Sequence, residues 1–177
     1  MDRIRPANLA DRPALDALIR DSARELSRGY YSPSQTESLI VHVFGVDTQL
    51  LHDGTYFVVE REGRIVACGG WSARRTLFGG DQAKPSSDPL LDPHSGAARI
   101  RAFFVDPGCA RQGLGRMLLT HCEAEARKAG FRRAELMATL PGVPLYRALG
   151  YEAVEPVNHQ LPDGERADFI RMTRSLS

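Results

Sequence analysis

The residues of this chain best suited to chemistry lie in one unbroken stretch. Phe103-Phe104-Val105 ends an apolar run and Asp106-Pro107-Gly108 turns it. Arg111-Gln112-Gly113-Leu114-Gly115-Arg116 then opens a helical run that continues through Met117-Leu118-Leu119. Glycines at 113 and 115 let the backbone approach a ligand closely. The unpaired N–H groups of a first helical turn point at one spot, and the helix dipole adds partial positive charge there. That arrangement binds anions, phosphate above all, and Arg111 and Arg116 add charge at its rim. Two phosphate motifs are excluded by spacing. A triphosphate-binding loop needs Lys after its second glycine, where Leu114 stands. A dinucleotide fingerprint needs a glycine three residues after Gly115, where Leu118 stands. Taken alone, Gly-x-Gly before a helix also fits a purely structural turn.

The elements that must position this stretch can be read from periodicity. Ile4-Arg5 reads as a short strand. Leu15, Leu18, Ile19, Ser22, Ala23 and Leu26 form a helical stripe over about 12–27. Ser32-Pro33 caps and starts a second helix that runs toward Gly45, and a further turn of helix is weakly signalled near Asp47–Leu51. Tyr56–Val59 and Ile65–Cys68 form a hairpin around Glu62-Gly63. From Arg74 to Gly96 the glycines and prolines leave no periodicity, so a long loop is expected, either a functional lid or a disordered insert. Ala98–Val105 is a strand, about 113–129 a helix, Ala134–Ala138 a strand and Pro144–Leu149 a short helix. Tyr151–Val157 and Ala167–Thr173 close the order as a strand pair. This alternation implies an α/β fold of mixed α+β type, in which helices flank a mixed sheet containing a parallel crossover.

Composition narrows the function. Hydrophobic residues make up 42% and charged residues 25% of the 177 positions, the mix of an ordinary globular domain. Lys+Arg total 23 against Asp+Glu 22, so no charge imbalance points to nucleic acid or to a membrane surface. Neither a membrane-length apolar run nor a signal-peptide core is expected. Cys68, Cys109 and Cys122 have no framework spacing and are expected as reduced thiols in a cytoplasm. The cysteines and the five histidines show no metal-ligand spacing, so no metal is expected. His121 and Glu125, four apart on the long helix, read as a surface pair.

Val105-x-Pro107, the Arg111–Leu119 run and the later Leu145-Tyr146-Arg147-Ala148-Leu149-Gly150-Tyr151 together resemble the GNAT superfamily of acyl-CoA-dependent N-acyltransferases. The resemblance implies one domain over 1–177. Residues 1–96 would form a variable acceptor-side half containing loop 74–96, residues 97–157 an acetyl-CoA-binding core, and 158–177 a closing strand. It also implies a mostly antiparallel sheet splayed between its fourth and fifth strands, with acetyl-CoA as co-substrate. Phe103, Phe104 and Val105 would lie along the pantetheine arm. Arg111, Gln112, Gly113, Leu114, Gly115 and Arg116 would wrap the pyrophosphate, chiefly through backbone N–H groups. Tyr146 would protonate the departing thiolate. Three positions depart from the pattern. Ala110 stands where Arg or Gln is common. Thr139 stands where Asn is common, its hydroxyl still able to reach a ligand. Arg99 and Ala134 occupy the positions of an acidic base. Glu135 is adjacent to Ala134, but strand alternation turns it to the other face.

A missing base has an energetic meaning. Deprotonating a lysine-like amine at neutral pH costs roughly 4–5 kcal/mol, an α-amine only about 1. The expected reaction is direct transfer to a primary amine of a small molecule or peptide, with neither Cys109 nor Cys122 acting as nucleophile. Arg74, Arg75, Arg99 and Arg101 could together hold a carboxylate or phosphate on the acceptor, or be solvated arginines on a sheet rim. Tyr30, Tyr31 and Trp71 could line an acceptor pocket or pack in the core. A homodimer is compatible with the family. A non-catalytic acyl-CoA sensor or partner-binding module that kept the cradle is the alternative function.

Overall fold

A computed structural model describes residues 1–177. Its strands are β1 (Asp2–Pro6), β2 (Tyr56–Arg61), β3 (Arg64–Ser72), β4 (Ala98–Val105), β5 (Arg133–Thr139), β6 (Glu152–Gln160) and β7 (Arg166–Ser175). Its helices are α1 (Arg12–Leu26), α2 (Pro33–His42), α3 (Thr48–Asp53), α4 (Leu114–Lys128) and α5 (Val143–Ala148). The strands form one sheet in the order β1-β2-β3-β4-β5-β7-β6. Every neighbouring pair is antiparallel except β4 and β5.

That parallel pair is the feature that matters for function. β4 and β5 pair only at Ala98↔Ala134 and Arg99↔Glu135, then diverge. From residue 100 onward the edge of β4 that faces β5 has no strand partner, while its other edge stays paired to β3 as far as Val105↔Ala67. The sheet is therefore split, as the family resemblance implied.

Two cores cover the two faces. α4 and α5 bury Leu114, Leu118, Leu119, Cys122, Val143 and Tyr146 against one face. α1, α2 and α3 bury Leu15, Ile19, Leu39 and Leu50 against the other. Leu118 and Leu119 are fully enclosed, and a leucine buried in this way stabilises the fold by about 1.5–3 kcal/mol.

α2 ends at His42, three residues short of the expected Gly45. The reason is competition for backbone: Gly80 N–H donates to the Val43 carbonyl at 2.8 Å and Asp81 N–H to the Val46 carbonyl at 3.0 Å. The loop that follows β3 is thereby stitched to the segment after α2. It is also closed on itself, with Arg75 N–H donating to Pro89 O at 3.0 Å and Leu91 N–H to Ala73 O at 2.7 Å. Loop 74–96 is an ordered clamp. No helix is long and apolar enough to cross a membrane.

Candidate active site

The cradle is built locally. Asp106 accepts the Gly108 N–H at 2.8 Å and turns the chain out of β4. Gly113 then takes φ +83°, a conformation that strains any residue with a Cβ, and serves as N-cap of α4. The first backbone bond of the helix runs from Met117 N–H to Gly113 O at 3.0 Å. The N–H groups of residues 111 through 116 find no acceptor within the protein. Unpaired donors at a helix start favour an anion. Gln112 turns its side chain away, its Oε1 accepting from Arg61 at 2.7 Å, so its backbone is what remains for a ligand. Arg111 and Arg116 are exposed and form no ion pair. Gly115 lies against α5, since a Cβ there would stand 2.9 Å from Leu145 Cδ2.

A bulge in β4 aims the strand into the split. Cys68 pairs with Phe104 but Gly70 pairs with Arg101, so β4 carries one extra residue at this point. Ala102 absorbs it with φ +54°, and the Tyr56 hydroxyl donates to its carbonyl at 2.7 Å. Past the bulge the alternation flips. Phe103 and Val105 join the α4 face, while Ala102 and Phe104 join the α1 face. Gly69 makes room, because a Cβ there would meet the Phe103 ring at 2.6 Å.

A cavity of about 70 Å³ runs through the split, room for several water-sized groups. Phe103, Phe104, Thr139 and Tyr146 all line it. Tyr146 is 9% exposed. Its ring is clamped edge-on between Phe103, 6.5 Å away by centroid, and Tyr151 at 5.9 Å. Its hydroxyl has no hydrogen-bond partner in the protein and is not sealed from the cavity. Burial pushes the phenol well above its ordinary value, so it holds its proton at neutral pH. Thr139 Oγ1 lies close by: a Cβ on Gly142 would stand 3.2 Å from it and 3.1 Å from Tyr146 Cε2.

The other sequence expectations are corrected or moved. None of Tyr30, Tyr31, Trp71, Arg74, Arg99 and Arg101 lines the cavity. Arg101 is fully buried and held by Asp47 Oδ2 at 3.1 Å and by the Gly79 carbonyl at 2.6 Å. Arg74 pairs with Asp53 at 2.7 Å and Arg99 with Glu135 at 3.3 Å. Each of these guanidinium groups is paired with a carboxylate of the protein itself. Trp71 is core, packed edge-on against Phe131 at 6.0 Å. Tyr30 is half exposed. Tyr31 is a positioning residue: its hydroxyl donates to Asp168 O at 2.6 Å and accepts from Leu140 N–H at 3.0 Å, fixing the turn that leads into α5. Burial pushes its phenol up to about 12.

Sequence reading missed Glu123. It is buried on α4, accepting from the Tyr151 hydroxyl at 2.8 Å and from Arg174 at 2.8 and 3.0 Å. It thereby fixes the ring against which Tyr146 packs. The available signal was its position four residues after Leu119 and three before Ala126, inside the apolar stripe.

Cys122 is enclosed under α4, and burial pushes its thiol far up. A thiol held neutral is a poor nucleophile. We expect Cys122→Ala to keep turnover within about threefold of the parent, measured by thiol release from acetyl-CoA. Loss of turnover in a folded variant would establish covalent catalysis instead. No group of His, Cys, Asp and Glu side chains is placed to hold a metal ion.

Unpaired backbone donors at a helix start thus lie beside a split sheet, with a phenol in the split. The sequence model of the Acetyltransferase (GNAT) family matches residues 18–151, and the chain belongs to that family. No curated protein matches it by sequence. Among solved structures it is similar to a GCN5-related N-acetyltransferase from Rhodopseudomonas palustris, at 17% identity and TM-score 0.74 over 99% of this chain and 96% of that one. PaiA N-acetyltransferase from Thermoplasma acidophilum, solved with coenzyme A, superposes at 15% identity and TM-score 0.67 over 99% of both chains. The yncA protein of Salmonella typhimurium, solved with acetyl-CoA, does so at 17% identity and TM-score 0.66 over 100% of this chain and 95% of that one. The protein is an acetyl-CoA-dependent acyltransferase.

Proposed function

We propose that the protein moves the acetyl group of acetyl-CoA directly to a primary amine of a small molecule or peptide. One observation carries this reading: donors 111–116 lack acceptors on one side of the split, and an unpartnered Tyr146 hydroxyl lies within it. Backbone amides of 111–116 hold the diphosphate. The free edge of β4 at Phe103–Val105 aligns the pantetheine arm. The neutral amine enters from the α1 face, its nitrogen bonding to the acetyl carbon as the carbon–sulfur bond breaks. Tyr146 gives its proton to the departing sulfur, the surplus proton on nitrogen leaves to water, and water returns a proton to the Tyr146 phenolate. A cytoplasmic setting accords with three cysteines that stand unpaired.

No Asp, Glu or His lines the cavity, an observation that also favours an acyl-CoA sensor. Thiol release in the presence of amines separates the two, because a sensor binds coenzyme A in calorimetry yet releases none. With no protein base to titrate, kcat/KM rises with pH toward the pKa of the amine itself. The raised Tyr146 phenol stays protonated, so no falling limb is expected below about pH 10. A decline between neutral pH and that value would remove Tyr146 as the acid.

A further inference from the structure

We propose that the acceptor is a primary amine bearing an aromatic or similarly apolar substituent, and that Phe78 selects it. The proposal rests on the acetyl-transfer reading and names its substrate class. On the face of the sheet opposite the cradle, the cavity is walled by Phe44, Phe78, Phe104, Met137 and Phe169. These side chains come from the segment after α2, the long loop, β4, β5 and β7. The rings pack on one another, Phe44 on Phe104 at 5.5 Å and Phe78 on Phe169 at 5.6 Å. No Lys, Arg, Asp, Glu or His lines the cavity.

That lining rejects two amine classes. A diamine would carry a second ammonium into a space with no carboxylate, a burial that is costly without a partner. An amino acid would bring a carboxylate, and the nearest arginines are committed: Arg101 to Asp47, Arg99 to Glu135 and Arg74 to Asp53. An aryl or alkyl group loses only water. The same apolar surroundings favour the neutral over the charged amine, which is the form that attacks. Desolvation thus does part of the work of the absent base.

Phe78 is held in place rather than left on a free loop. Arg101 donates to the carbonyls of Thr76 at 3.4 Å and Gly79 at 2.6 Å, on either side of it. His159 packs edge-on behind the ring at 5.1 Å. The aromatic wall therefore exists before the acceptor arrives, which lowers the ordering cost of binding.

The test compares 2-phenylethylamine, n-propylamine, putrescine and aspartate as acceptors, following thiol release at saturating acetyl-CoA. The expected result is a kcat/KM for phenylethylamine about tenfold or more above each of the others. In Phe78→Ala the phenylethylamine-to-propylamine ratio falls by about tenfold, the scale of one lost aromatic contact. Phe78→Leu, which keeps apolar volume and serves if the alanine variant melts early, lowers the ratio by about threefold. Preference for putrescine or aspartate, or a ratio unmoved by both substitutions, overturns the proposal and leaves acetyl transfer standing. Release of no thiol with any amine overturns both readings.

Discussion

Replacing Tyr146 by Phe lowers kcat by about 10²- to 10⁴-fold, the usual contribution of a positioned acid, while the affinity for acetyl-CoA stays within about twofold. The substitution is unusually clean. It keeps the ring, and with it the packing against Phe103 and Tyr151. It breaks no hydrogen bond within the protein, because the hydroxyl makes none. The folded state therefore loses little, and any change reports on chemistry. Steady-state kinetics with a fixed amine, beside calorimetry with coenzyme A, separate the two terms. A loss that appears in KM with kcat preserved would mean that the hydroxyl only binds substrate. An unchanged kcat would take Tyr146 out of the mechanism.

Replacing Asp47 by Ala destabilises the fold by about 3–5 kcal/mol, the cost of leaving a buried charge without its partner. Asp47 has 1% of its side chain exposed and carries three obligations. It accepts from Arg101 Nη2 at 3.1 Å, from Lys84 Nζ at 2.6 Å, and from the Gln49 N–H at 3.0 Å as the cap of α3. Burial alone pulls the Arg101 guanidinium below its ordinary value, and Asp47 opposes that pull. Without Asp47, Arg101 keeps two carbonyl acceptors but loses its counter-charge. Lys84 retains Asp88 at 2.5 Å, so the loop loosens at its Arg101 end first. The measurement is the midpoint and slope of urea unfolding, with limited proteolysis across residues 74–96. Adding Arg101→Met to Asp47→Ala removes the orphaned charge and recovers part of the loss. A shift below about 1 kcal/mol in the single variant would show that the network contributes little to stability.

Which parts of the site were legible in the chain follows from how far apart its components lie. The turn into α4 is legible because it is local. A strand end, the Asp106-Pro107-Gly108 turn, Gly113 and the start of α4 follow one another within a dozen residues, and helix geometry alone leaves their donors free. The short helix that carries Tyr146 is legible for the same reason, as is the alternation that turns Glu135 from Ala134. The surroundings of the arginines are not legible, for the opposite reason. Arg101 looks like a rim charge until Asp47, 54 positions earlier, and Gly79, 22 positions earlier, close around it. The bulge at Ala102 is invisible in Arg101-Ala102-Phe103, since it exists only as a mismatch in length against β3.

The sequence by itself determined the order of elements and the glycine turn into α4, because each depends on neighbours along the backbone. Tertiary structure alone decided the rest: which charges are spent on the protein's own carboxylates, and which aromatic rings meet across the split. Burial sets both outcomes. A side chain's charge, solvation and reach are fixed by atoms that folding brings from distant parts of the chain, and no spacing rule encodes that meeting.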